Sequence, residues 1–135
     1  MGIWTIYTDG AARGNPGPAG AGWVIINARG KIALENKKYL GELTNNQAEY
    51  GALILALEDA HDLGAKELLL QADSELMVRQ LKGEYKVKNE GLKPLFRKVV
   101  LTLSKFKKYT LEHIPREKNS EADRLANEAI DAHFG

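Results

Sequence analysis

The sequence predicts an α/β fold in which helices flank one five-stranded mixed sheet, the elements running βββαβααβα. Three observations carry this reading. The first 40 residues alternate short β-branched and aromatic runs with glycine and proline. Two later apolar runs, too short for helices, each lie between stretches of helical periodicity. Between the two halves lies a long helical stretch so apolar that it needs cover on both sides.

Taken in order, Ile3 to Thr8 and Ala21 to Asn27 read as strands, rich in β-branched and aromatic residues. Ala28-Arg29-Gly30-Lys31 reads as a tight turn into a third strand, Ile32 to Leu40, so the opening is an antiparallel meander. Thr44 followed three residues later by Gln47 forms a capping box, starting a helix that runs to His61 and ends at Gly64. Glu67 to Ala72 is a short apolar strand running into Asp73, and the helices on either side of it, the second from Ser74 to Leu81, suggest a parallel β-α-β unit. Leu92, Leu95, Phe96, Val99, Leu103 and Phe106 recur at helical spacing, with Pro94 tolerated in the first turn. Tyr109 to Ile114 is a fifth strand, and Asn119 to Phe134 a closing helix with Ala122, Leu125, Ala126 and Ala129 on one face.

At 135 residues, residues 1–135 are expected to form a single domain. There is no cysteine, which excludes disulfides, thiolate metal sites and a thiol nucleophile. Met1-Gly2-Ile3-Trp4 shows no basic segment ahead of an apolar one, and no apolar run approaches the roughly 20 residues of a membrane span. A cytoplasmic monomer is therefore the expectation. The net charge of +1 hides an asymmetry: Arg79 to Lys118 holds 12 Lys and Arg against 4 Glu, while the remainder holds 7 basic and 14 acidic residues. Such a division suits a polyanionic partner meeting one side of the molecule, and equally a solvated helix face.

Four carboxylates stand out. Asp9 ends or lies within the first strand, Glu49 sits in the second turn of the apolar helix, Asp73 ends the most apolar strand, and Asp123 opens the last helix. Asp9-Gly10 could be a plain turn, and Asp73 and Asp123 could serve only as helix caps. Glu49 resists such an account, because burying an unpaired carboxylate costs several kcal/mol. In open α/β sheets ligands bind beyond the carboxyl ends of strands, where Asp9 and Asp73 would converge if their strands are neighbours. Like charges gathered in a dry site need a cation to stay ionised, and carboxylate oxygens without Cys or a His cluster suit Mg²⁺ or Mn²⁺ and not Zn²⁺. In-line phosphoryl displacement with two ions about 3.5–4 Å apart is the chemistry such a site serves best.

The blocks "YTDGAARGNPGPAGAGWVI", "LTNNQAEYGALILALE", "LLLQADSELMVRQL" and "IPREKNSEADRLANEA" closely resemble the signature blocks of type 1 ribonuclease H, in family order and spacing over nearly the whole chain. The resemblance implies an RNase H-like fold and an Mg²⁺-dependent endonuclease, with Mn²⁺ as substitute, that hydrolyses the RNA strand of RNA–DNA hybrids to 5′-phosphate and 3′-hydroxyl ends. It implies Asp9, Glu49, Asp73 and Asp123 as metal ligands. A nuclease selective for RNA must sense the 2′-hydroxyl. Asn15, Asn45 and Gln47 resemble the family's minor-groove readers, with main-chain groups from Gly10, Ala11, Ala12 and Arg13 and from Ser74 adding ribose contacts. Thr44 and Asn46, with Arg13, match positions that hold a phosphate of the DNA strand. The small residues Gly10, Ala11, Ala12 and Gly14 would let the loop approach the nucleic-acid backbone closely.

Two departures matter. The basic protrusion of many bacterial relatives is reduced to "QLKGEYKVKNEGLKPLF", in which Lys82, Lys86 and Lys88 would supply phosphate contacts. The loop before Asp123 reads "PREKN" and lacks the family's frequent histidine; Arg116 is the best substitute, able to hold a phosphate but not to act as a base. Two other readings stay open: a catalytically silent hybrid-binding module, and a nuclease domain excised from a larger polymerase.

Overall fold

The computed structural model describes residues 2–135. Strands β1 (Ile3–Ala12), β2 (Gly17–Ile26) and β3 (Ile32–Leu43) form the antiparallel meander. β4 (Glu67–Ala72) pairs with β1 in parallel, and β5 (Lys108–His113) extends the parallel half, giving the order β3-β2-β1-β4-β5. The helices are α1 (Asn45–Asp62), α2 (Glu75–Leu81), α3 (Lys93–Leu103) and α4 (Ser120–Phe134), with a 3-10 turn at Arg116–Lys118. This is the RNase H-like fold in the element order the sequence predicts. No helix among the described residues is long and apolar enough to cross a membrane.

The main difference from the sequence reading is at the first hairpin. Gly10, Ala11 and Ala12 are strand residues paired with Ala21, Gly20 and Ala19, so β1 and β2 each reach further toward the turn than their side-chain pattern suggests. The chain reverses in the short stretch Arg13–Pro16, where Gly14 takes φ +108° and the Asn15–Pro16 peptide is cis. Asp9 consequently lies inside β1. The five glycines from Gly10 to Gly22 then acquire a physical account that is largely internal. A Cβ on Gly10 would stand 2.2 Å from the carbonyl carbon of Ala48 in α1, and on Gly22 it would stand 2.3 Å from the carbonyl oxygen of Ala122 in α4. Gly20 is equally close to Ala126 O. Because Gly10 pairs with Ala21, between Gly20 and Gly22, strand alternation puts α1 and α4 on opposite faces of the sheet, each pressed onto bare backbone.

α1 begins as expected. Thr44 Oγ1 accepts from Gln47 N at 3.2 Å and Gln47 Oε1 accepts from Thr44 N at 2.9 Å. Its apolar run is buried between the sheet and α3: Tyr50, Ala52, Leu53, Ala56, Leu57 and Ala60 are inaccessible or nearly so. Gly64, at φ +93°, turns the chain into β4. Core residues of β1 and β4 alternate inward as Ile6, Leu68, Leu70 and Ala72. Those two strands, gripped from α1's side, hold in place the residues just beyond their paired segment.

The close approach of α4 makes one position a direct test. Gly22→Ala would force backbone against backbone, at a cost of about 1–3 kcal/mol and a Tm lower by roughly 5–15 °C. Thermal denaturation followed by circular dichroism measures this; an unchanged Tm would contradict the packing described.

Candidate active site

β1 and β4 run parallel in register until Thr8 pairs with Ala72. Asp9 and Asp73 are each the next residue, so the pairing that builds the core also sets two carboxylates side by side. Glu49 reaches the same point from the second turn of α1, where Gly10 N donates to its Oε1 at 2.8 Å. Asp9, Glu49 and Asp73 each offer an oxygen, all within 4.8 Å of one another. Gly10 is thus the hinge of the site: lacking a side chain, it lets α1 close down, and its amide fixes the glutamate that the closure delivers.

Asp9 is 5% exposed. Burial, then the charges of Glu49 and Asp73, and then Asp123, push its carboxyl up to about 10. Glu49 is pushed up to about 8, first by burial and then by Asp73, against the opposing pull of the Gly10 amide. Three acids thus share a partly dry space that cannot hold three negative charges without compensation. Oxygen-only donors at this spacing match a hard divalent cation, and this electrostatic deficit is the physical reason that one fits.

Asp123 meets Asp9 from the other side of the cleft. Its first-turn position in α4 places it on the wall of the same cleft, an open hollow of about 480 Å³ also lined by Arg13, Asn45, Asn46, Arg116 and Asn127. It is outside the group whose oxygens lie within 4.8 Å, and its side chain is about a third exposed, with Oδ1 3.8 Å from Arg116 Nη2. Arg116, on the 3-10 turn, is 80% exposed and overhangs the cleft. His113 is the last residue of β5 and lines a different polar hollow with Glu75, Arg79 and Glu84.

The other sequence-selected residues divide into two groups. Asn15, Asn45, Glu49 and the end of β1 are stitched together: Asn45 N donates to Asn15 Oδ1 at 3.0 Å, and Ala12 N donates to Asn45 Oδ1 at 3.1 Å. Each asparagine uses its oxygen in this seam, which leaves its amide nitrogen as a donor. Thr44 and Gln47 are turned on each other in the capping box, Asn46 lines the cleft beside Asn45, and Ser74 caps α2 by accepting from Met77 N. Gly10, Ala11 and Arg13 also line the cleft. The structure does not bring Lys86 and Lys88 there. Lys86 borders a separate, mainly apolar hollow with Tyr85, Val87, Phe96 and Arg97, and Lys88 is exposed on the loop between α2 and α3. Gly91 of that loop approaches the side chain of Gln47.

Asn119 escaped residue-level selection. It is 1% exposed, and its Nδ2 donates to Thr8 O at 2.8 Å and reaches Asp73 Oδ2 at 3.4 Å. It ties α4's start to the ends of β1 and β4. The signal was its place three residues before Ala122-Asp123, in an otherwise exposed loop. Asn127, one helical turn after Asp123, gave no local signal.

Comparison with known proteins identifies the family and agrees with the fold. A family model described as reverse transcriptase-like matches residues 7–129. The ribonuclease HI of Halobacterium salinarum is 45% identical over 125 residues, which is 93% of this chain but 63% of that protein, so the chain spans less than two thirds of that relative's length. The crystal structure of RNase H1 from that archaeon superposes with a TM-score of 0.94 at 44% identity, covering 97% of this chain and 99% of the other. The structure of LC11-RNase H1 in complex with an RNA/DNA hybrid gives a TM-score of 0.92 at 49% identity, covering 98% and 99%. With sequence identity and superposition in agreement over nearly its whole length, the chain belongs to the type 1 ribonuclease H family.

Proposed function

We propose that this protein is an endoribonuclease that hydrolyses the RNA strand of RNA–DNA hybrids with two divalent cations, leaving 5′-phosphate and 3′-hydroxyl ends. The observation that carries the reading is the convergence of Asp9, Glu49 and Asp73, oxygens within 4.8 Å, in a partly buried position beside an open cleft. LC11-RNase H1, 49% identical, is a relative seen bound to such a hybrid. Asp9, Glu49, Asp73 and Asp123 would hold Mg²⁺, with Mn²⁺ as an alternative. When bound, such ions stabilise charge on the phosphate and on the attacking and departing oxygens.

The chain's own residues do the rest. The buried ends of β1 and β4 hold Asp9 and Asp73 rigid, and the Gly10 amide holds Glu49, so the ligand set is organised before substrate arrives. The amide nitrogens of Asn15 and Asn45, with Gln47 and main-chain groups from Gly10 to Arg13 and at Ser74, face a minor groove and sense ribose hydroxyls. Thr44 and Asn46 take a phosphate of the DNA strand, and Lys86 and Lys88 add phosphate contacts beyond the cleft. Arg116 overhangs Asp123 with a permanent charge, suited to holding the scissile phosphate in place and unable to accept a proton.

Asp73→Asn keeps the shape of the site and removes one charge. Mg²⁺-dependent cleavage of end-labelled hybrid should be lost almost completely while hybrid binding, measured by fluorescence anisotropy, is retained; retained cleavage would refute the ligand assignment. Arg116→Ala should lower turnover about 10–100-fold, the size of one lost charge-assisted contact. Steady-state rates decide this, and an unchanged turnover would make Arg116 a solvated surface residue.

The raised carboxyl groups also set a pH dependence. Asp9 and Glu49 hold protons in the folded protein up to about 10 and 8, whereas unfolded they lose them near 3.8 and 4.5. Between those limits the folded state carries the extra protons, so stability is fully present at low pH and falls as pH rises. In chelator, Tm should decline from pH 5 to pH 8. Asp9→Asn should flatten that decline and raise Tm at pH 8, and Mg²⁺ should raise the wild-type Tm more than the variant's. A variant with the wild-type pH slope would contradict the account.

A further inference from the structure

Arg13 stands at the turn between β1 and β2, yet its guanidinium is committed to α4. Nη1 donates to Asp131 Oδ1 at 2.6 Å, while Nη2 donates to Asn127 Oδ1 at 3.3 Å and to Asn127 O at 3.4 Å. The contact with the Asn127 side chain has a consequence for the cleft. A guanidinium can only donate, so the amide end facing it must be oxygen. The nitrogen end then faces the other way: Nδ2 donates to Asp123 O at 3.0 Å and reaches Asp123 Oδ1 at 3.4 Å. Arg13, Asn127 and Asp123 all line the same wall of the cleft.

We propose that Arg13, anchored by Asp131, fixes the orientation of the Asn127 amide and through it holds the Asp123 carboxylate in place, making Arg13 and Asn127 positioning residues for Asp123. The inference rests on the nuclease reading, in which Asp123 acts at the site. The Arg13–Asp131 pair has side chains 45% and 65% exposed, so its contribution to stability is small. Its effect is directional. With Arg13 removed, the Asn127 side chain loses its anchor on the oxygen side and can swing away from Asp123, leaving that carboxylate with Asp9 and Arg116 alone. Lysine at position 13 keeps a charge for Asp131 but has no second arm for Asn127. Asp123 needs this help because it sits in the first turn of α4, whereas Asp9 lies within β1 and Asp73 directly follows β4.

The test combines kinetics and resonance measurements on Arg13→Ala, Arg13→Lys, Asn127→Ala and the Arg13→Ala/Asn127→Ala double variant. With RNA–DNA hybrid and Mg²⁺, each single variant should lose about 3–10-fold in kcat at unchanged KM. The double variant should lose no more than the worse single one, since both act on one carboxylate. Arg13→Lys should not rescue. In metal-free protein, the Asn127 side-chain amide resonances should shift in Arg13→Ala while Tm stays nearly constant. A raised KM with unchanged kcat, or losses that multiply in the double variant, would overturn the proposal and make Arg13 a direct phosphate contact. An unmoved Asn127 amide signal would overturn it as well. Should wild-type protein leave hybrid uncut, the nuclease reading fails, and the amide resonances still decide whether Arg13 orients Asn127.

Discussion

Repulsion among desolvated carboxylates is the constraint around which this molecule is arranged. Three acids converge where β1 and β4 stop pairing, and burial together with mutual charge raises Asp9 and Glu49 above the ordinary carboxylate range. A fold does not gather such groups for its own stability; without a compensating cation they oppose it. The surrounding architecture tolerates the repulsion because the strands that lead to Asp9 and Asp73 are anchored in the core through Ile6, Leu68 and Leu70.

Glycine is the second requirement. Gly10 lets α1 lie on β1, and Gly20 and Gly22 let α4 lie on β2 from the other side. The site is therefore built from three directions by close backbone contact: strand ends from within the sheet, Glu49 from one covering helix and Asp123 from the other. The grip is uneven. Glu49 is held by a main-chain amide of β1, whereas Asp123 is held by side chains, the half-buried Asn127 on α4 and the exposed Arg116 on the turn before it.

Much of this was legible in the sequence, for identifiable reasons. β4 was read with its exact bounds because an apolar run of six residues lay between two helical patterns, and α1's start because Thr44 and Gln47 form a local signal. Glu49 was legible as an acid in an apolar helix. The extension of β1 through Ala12 was not, because Gly-Ala-Ala carries no strand propensity; the pairing with Ala19 to Ala21, and the helices resting on those small residues, override it. The Arg13–Asn127–Asp131 contacts join the two ends of the chain and leave no trace in local pattern. Lys86 was read from its place in the shortened counterpart of the basic protrusion, and it stands beside a hollow separate from the cleft.

The central claim is electrostatic, and calorimetric titration of the metal-free protein with Mg²⁺ at pH 7 tests it most directly. Run in buffers of different ionisation enthalpy, the titration counts protons exchanged on binding. Release of protons as the cation binds, abolished together with binding in Asp73→Asn, is the result this account predicts. Binding with no buffer dependence, or no binding at millimolar Mg²⁺, would contradict it.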